Sequence, residues 1–224
     1  MNLSKSYDFF QPEKVPERIH IIGCGAVGST IAELLVRNGL KNITLYDFDR
    51  VEPHNIANQM YREADIGKLK VEALRDILVG INSELTETLR LESKGYVKQR
   101  LSGYVFLCLD NIDTRRTIAE ANVHNKYIKA MFDVRIRLED GQHYAANWKL
   151  ESMVENLIAS MQFTHEEALE STPVTACGLE QSFAGTVRGI CMAACNNFIQ
   201  FVRTGDMFKT ILFDATGMDL QAYR

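Results

Sequence analysis

The stretch from Arg18 to Gln59 constrains this chain more than any other. It opens on an apolar run, Ile19 to Ile22, too short for a helix and rich in β-branched residues, which predicts a buried parallel strand. Gly23, Gly25 and Gly28 follow as G-x-G-x-x-G. In that spacing the first glycine permits a tight turn, the second lets backbone approach a phosphate, and the third lets the next helix press against the strand. Ala26, Val27, Ile31, Leu34 and Leu35 recur at helical spacing, and Gly39 after Asn38 is a stop signal. A second strand, Ile43 to Tyr46, ends at Asp47. Strand, glycine loop, helix, strand and acid predict a βαβ nucleotide cradle. An acid at that point accepts hydrogen bonds from ribose hydroxyls, and NAD and ATP both carry a ribose.

At 224 residues the chain is long enough for one sizeable core but cramped for a second, so a single domain is expected over residues 1–224. Lys plus Arg total 25 against 29 Asp plus Glu, a net charge of -4, and no basic block points to nucleic acid or a membrane surface. Without a signal-like N-terminus or a bilayer-length apolar run, a cytoplasmic location is expected. The five cysteines, Cys24, Cys108, Cys177, Cys191 and Cys195, fall mostly inside apolar elements, as reduced core thiols do.

Taken in order, residues 1–17 carry Pro12, Pro16 and Asp8-Phe9-Phe10 without periodicity, and read as an arm laid over the body. Phe48 to Ile66 is a long polar connection holding Asp49, Asn55, Asn58, Gln59, Arg62 and Asp65, of the kind that more often serves function than merely joins elements. Val71, Leu74, Ile77, Leu78 and Ile81 mark an amphipathic helix with Lys68 and Lys70 in its first turn. Cations there oppose the helix dipole, which fits a nearby anion. Thr86 to Leu91 alternates as a strand would, and Tyr104 to Leu109 reads as a buried strand ending in Asp110, on the rim where parallel sheets place ligands. A helix through Asn125 precedes a strand from Ile128 to Leu138, a turn at Glu139-Asp140-Gly141 and a returning strand to Trp148. Met153, Val154, Leu157, Ile158 and Met161 form one stripe, explained by core packing or a dimer surface. Phe183 to Val202 is helical up to Gly205, and Met207 to Phe213 reads as a last strand. The architecture expected is a Rossmann-like, doubly wound, mostly parallel α/β sheet with antiparallel strands toward the C-terminal half.

The stretch after Asp47 resembles the ubiquitin-activating-enzyme superfamily in its small bacterial form, the ThiF/MoeB/HesA adenylyltransferases. The residues that carry the likeness are DFD (Asp47 to Asp49), Val51, Asn55, Gln59, DIGKLK (Asp65 to Lys70), LDN (Leu109 to Asn111) and Arg115, and it runs from about Arg18 to Phe213. The resemblance implies that ATP and Mg2+ activate the C-terminal carboxylate of a small ubiquitin-fold carrier protein, or of a peptide, as an acyl adenylate. It implies Asp47 on the ribose, Gly23, Gly25 and Gly28 under the nucleotide with Asp49 beside them, Asn55 and Gln59 on phosphates, Lys70 at the α-phosphate and Asp110 on Mg2+. It also implies a homodimer.

The chain departs from the family pattern at three points. The residue before Gln59 is Asn58 where the family usually has a phosphate-gripping arginine. Either Arg62, Arg18 or an arm residue from a second subunit replaces that cation, or adenylation is weak or absent. There are no paired C-x-x-C motifs, so no zinc is expected, and Cys191 and Cys195 read as core residues. No separate catalytic-cysteine domain is expected. Cys177 occupies the place where some sulfur-transfer relatives bond covalently to the carrier's tail, the alternative being a buried small residue in a loop. None of the five histidines is assigned a catalytic role. Two other readings remain: a degenerate relative that binds nucleotide or a partner without turnover, and an NAD-dependent oxidoreductase, which explains neither DIGKLK nor the Asn55/Gln59 loop.

Overall fold

The computed structural model describes residues 1–170 and 181–224. Chain order runs β1 (Ile19–Ile22), α1 (Ala26–Arg37), β2 (Ile43–Tyr46), α2 (Lys70–Ile81), α3 (Leu85–Thr88), β3 (Arg90–Glu92), β4 (Gly103–Leu107), α4 (Ile112–Ala121), β5 (Ile128–Ile136), β6 (Asp140–Asn147), α5 (Glu151–Ala159), α6 (His165–Glu170), α7 (Ala184–Thr204), β7 (Thr210–Asp214) and β8 (Asp219–Tyr223). All eight strands form one sheet in the order β3-β2-β1-β4-β5-β6-β7-β8. The first five pair in parallel. From β5 onward pairing is antiparallel, as expected for the C-terminal half. Strand order reverses between β1 and β4, which opens a crevice at the carboxyl ends of those two strands.

Strand alternation divides the core into two layers. Ile21, Leu45, Phe106 and Phe132 face α1, α2 and α7. Ile22, Tyr46, Leu107 and Met131 face the layer that holds Ile112 and Ile118 of α4 and Val154 and Leu157 of α5. In the first layer Phe106 stacks on Phe132 at 4.8 Å between centroids and Phe198 of α7 meets both edge-on, so α7 is anchored over the middle of the sheet. Each fully buried side chain of this size contributes roughly 1.5–3 kcal/mol. In the N-terminal segment Phe10 and Val15 are buried, and Arg203 of α7 stacks on Phe9 at 4.0 Å. Among the described residues, no helix is long and apolar enough to cross a membrane.

Several boundaries differ from the sequence reading. Thr86 to Leu91 is not one strand: Leu85–Thr88 forms a helical turn, and only Arg90–Glu92 pairs with β2. The turn is seeded locally, because Asn82 Oδ1 caps the Glu84 N–H and the Ser83 carbonyl receives the Thr86 hydroxyl at 2.9 Å. The helix expected through Asn125 ends at Ala121, where the Asn122 amide turns back onto the Ile118 carbonyl and the Asn122 carbonyl accepts the Trp148 indole. Asp140 and Gly141 belong to β6 rather than to the hairpin turn. A final strand, β8, follows the last one expected. Asp214 Oδ1 accepts the N–H groups of Thr216 and Gly217, which closes the turn that returns the chain. The stripe resolves as core, with Val154 and Leu157 of α5 and Met161 just past it buried under the sheet.

Candidate functional site

Gly23, at the end of β1, carries a positive φ of +94°, and a Cβ there would stand 2.7 Å from the Cys108 carbonyl oxygen at the end of β4. A Cβ on Gly28 would stand 1.8 Å from the Gly23 carbonyl oxygen, so α1 rests directly on the turn that feeds it. Gly25 differs. It caps α1 at an ordinary φ of -72°, and a Cβ there would have no atom within 4 Å. Its side faces open space at the N-terminus of α1, where backbone N–H groups favour an anion.

Asp47 follows β2 and folds back under this loop. One carboxylate oxygen accepts the Cys24 N–H at 2.6 Å and the other the Asp49 N–H at 2.8 Å. Burial pushes its pKa up, against the downward pull of those N–H groups and of Lys70. Lys70, the first residue of α2, is buried, and its Nζ lies 2.9 Å from a carboxylate oxygen of the exposed Asp49. The two residues are also joined through the backbone, the Lys70 N–H donating to the Asp49 carbonyl at 2.8 Å. Tyr61 completes the join: its single hydroxyl proton is shared between the Cys24 carbonyl at 2.6 Å and the more distant Lys70 carbonyl at 3.3 Å. Glycine loop, acid and lysine are therefore held as one unit by a buried tyrosine that no motif had marked.

Lys68 lies before α2 rather than in its first turn, and its amine bonds Asp65 at 2.8 Å. The anion inferred from the two lysines is thus supplied first by the protein itself, as Asp65 and Asp49. Arg62 also bonds Asp65, at 2.9 Å. Burial raises the Asp65 pKa, but the Arg62 and Lys68 side chains and the Arg62 N–H outweigh it and hold the carboxyl at about 2.

Asn55 is buried, and its side-chain oxygen caps the Glu52 N–H at 2.9 Å. Asn58 donates its amide to Ser182 Oγ ahead of α7, and the Met60 N–H reaches Ser29 Oγ on α1 at 3.3 Å. Asn58 Oδ1 and Gln59 Oε1 are both buried without a hydrogen-bond partner among the described residues. Such atoms are costly unless a ligand satisfies them, and a half-turn of either amide presents an N–H donor in the same place. Of the cations considered as substitutes for an arginine at position 58, Arg18 is excluded by position: it precedes β1 at the opposite, amino end of the sheet and donates to the carbonyls of Ile43 and Thr88. Arg62 is committed to Asp65.

Asp110 is exposed just past β4, on the same rim. Its neighbour Asn111 caps α4, accepting the Thr114 N–H at 2.8 Å. Beneath the Asp110 loop, the buried Arg115 donates to the carbonyls of Leu107, Leu109 and Val134 and to Asp133, and Asp133 also receives Arg135. Cys24, Cys108, Cys191 and Cys195 are buried free thiols whose pKa values burial pushes up, Cys108 to about 12, so none of them is a ready nucleophile. Cys191 donates to the Val27 carbonyl inside the α1–α7 contact. Cys177 lies outside the described residues. His20 and His143 are buried, and desolvation lowers each pKa to about 4, so both are neutral structural groups near neutral pH.

The family model described as the ThiF family matches residues 13–212. Molybdopterin-synthase adenylyltransferase of Salmonella typhimurium is 29% identical over 142 residues, 60% of this chain and 56% of that protein. Ubiquitin-like modifier-activating enzyme 5 of Caenorhabditis elegans is 32% identical over 103 residues, 46% of this chain and 22% of that protein. The chain thus aligns with about a fifth to about half of the length of these curated relatives. Among solved structures, E. coli MccB with ATP superposes with a TM-score of 0.75 at 15% identity, covering 95% of this chain and 65% of that one. PaaA superposes with a TM-score of 0.71 at 16% identity, covering 99% and 68%. At such identities the likeness establishes the shared fold.

Proposed function

Because the chain belongs to the ThiF family, we propose that it binds ATP with Mg2+ at the crevice between β1 and β4 and adenylylates the C-terminal carboxylate of a small ubiquitin-fold carrier protein or a peptide. The observation that carries this reading is the convergence on one rim of the open face of Gly25, the twice-bonded Asp47, the Lys70–Asp49 pair and Asp110. In the reaction a carboxylate oxygen attacks the α-phosphorus, the bond from that phosphorus to the bridging oxygen breaks, and pyrophosphate leaves. Attack of one anion on another needs neutralised charge and in-line alignment more than proton transfer.

In this reading Gly25 lets the nucleotide lie against the backbone of α1, and Asp47 takes the ribose hydroxyls. Lys70 exchanges Asp49 for the α-phosphate, and Asn55 and Gln59 contact the remaining phosphates. Asp110, a single exposed carboxylate beside a phosphate site, suits Mg2+, which commonly combines one or two carboxylates with phosphate oxygens. The ion would supply charge neutralisation. The curated relatives named as an adenylyltransferase and a modifier-activating enzyme support the reaction class.

Pyrophosphate exchange tests the proposal. Radiolabelled pyrophosphate should enter ATP only when a carrier or peptide with a free C-terminal carboxylate is present, and Lys70→Ala should lower the exchange by about a hundredfold, as removal of one transition-state charge contact does. Saturable ATP binding without exchange for any carboxylate substrate would favour the non-turnover reading, to which Asn58 in the phosphate loop lends weight.

A further inference from the structure

Arg188 sits near the start of α7, exposed, and its guanidinium donates to Thr30 Oγ1 on α1. The Thr30 hydroxyl in turn bonds the Ala26 carbonyl at 2.8 Å, in the first turn of the glycine-loop helix. The adjacent Ser29 holds the Met60 N–H, and Ser182, just ahead of α7, holds Asn58. Thr186 Oγ1 donates to the Leu138 carbonyl at 2.8 Å, which fixes this end of α7 on the carboxyl-end side of β5. Three segments distant in sequence therefore meet at one place: the first turns of α1, the Asn58–Met60 loop and the leading end of α7.

The charges at this junction are unbalanced. Lys70 is paired with Asp49, and Arg62 with Asp65. Among the described residues, the hydrogen-bond partner of the exposed Arg188 is a neutral hydroxyl, so most of the five N–H donors of its guanidinium are unused there. The neighbouring loop holds the buried side-chain oxygens of Asn58 and Gln59, which have no hydrogen-bond partner among the described residues. A triphosphate carries several negative charges over a length that one lysine does not cover, and a guanidinium fork matches phosphate oxygens in pairs.

We propose that Arg188 grips the outer phosphates of ATP, supplying from α7 the cation absent at Asn58. This assignment rests on the ATP reading above. The test is calorimetric titration of ATP and of AMP, each with Mg2+, into wild-type protein, Arg188→Ala and Arg188→Gln, with thermal melts run alongside. The expected result is ATP binding weakened about tenfold in both variants, with AMP affinity changed by less than about twofold, because AMP lacks the phosphates concerned. Arg188→Gln keeps a donor for Thr30, so it decides the matter if truncation to alanine upsets the α1–α7 contact. ATP affinity in folded variants within about twofold of wild type, or equal losses for ATP and AMP, would overturn the assignment while leaving the ATP site standing. Wild-type protein that binds neither nucleotide would overturn both.

Discussion

Gly25 and Gly28 belong to one motif and face opposite constraints. Gly28 has no room: a methyl group there would sit 1.8 Å from a carbonyl oxygen of the turn, a backbone atom that cannot step aside. Gly28→Ala should therefore cost about 3 kcal/mol or more in chemical denaturation, at or above the upper end of ordinary overpacking. Gly25 has room and an ordinary φ, so Gly25→Ala should leave stability within about 1 kcal/mol of wild type. If its open face is where a phosphate lies, the same change should weaken ATP binding about tenfold or more. Equal stability losses at the two positions would contradict this division. Position in the chain decides which residues of the candidate site the sequence could suggest. Asp47, Lys70 and Asp110 lie inside short contiguous motifs and could be read directly. Tyr61, Ser182 and Arg188 could not, because their roles arise only when segments distant in the chain meet, as in the Asn58–Ser182 and Thr30–Arg188 bonds. A buried tyrosine hydroxyl and an arginine on a helix look the same in sequence whether they hold a site together or not.

At the scale of elements, Arg115 and Asp133 join β4, β5 and α4 below the Asp110 loop. Arg115 satisfies the carbonyls of Leu107 at the end of β4, Leu109 just past it and Val134 within β5, and Asp133 is fully buried between Arg115 and Arg135. Arg115→Met should destabilise the protein by about 3–5 kcal/mol, because it leaves a buried carboxylate with one partner fewer and three carbonyls unsatisfied. Urea denaturation measures this directly, and a loss below about 1 kcal/mol would show the network to be dispensable. Elements buried on both faces were legible: β1, β2, β4 and α1 appear within a residue or two of their expected spans, since continuous apolar runs and helical stripes leave little choice. The edges were not. β3 is three residues long with an exposed first residue, and β8 is exposed along its whole length, so the brief alternations Arg90-Leu91-Glu92 and Asp219-Leu220-Gln221-Ala222 are too short or too exposed to mark where a strand begins and ends. They exist because a neighbouring strand offers unpaired backbone groups, which is a property of the sheet and not of the segment.

At the scale of the whole molecule, the parallel half and the antiparallel half make different contributions. The parallel strands raise Gly23, Asp47 and Asp110 onto one rim, while the antiparallel strands and α7 brace it from the side. Buried titratable groups set the acid limit of this assembly. His20 and His143 have folded pKa values near 4 against an ordinary 6.5, so the unfolded chain binds their protons first and stability falls as pH drops from about 6.5 toward 4. Asp65, held at about 2 against 3.8, adds stability that is present above pH 4 and is lost as pH falls toward 2. Denaturation free energies should therefore decline with falling pH across both windows, the histidines contributing on the order of 3 kcal/mol each. His143→Gln should flatten the upper window, and an unchanged slope would contradict its assignment.

A nucleotide site at the rim between β1 and β4 is tested most directly by calorimetric titration of ATP with Mg2+ into wild-type protein and Lys70→Ala, beside NAD as a control. The predicted result is saturable ATP binding by the wild-type protein, markedly weakened in Lys70→Ala, with no heat from NAD. A folded wild-type protein that binds no ATP, or ATP binding indifferent to Lys70, would contradict it.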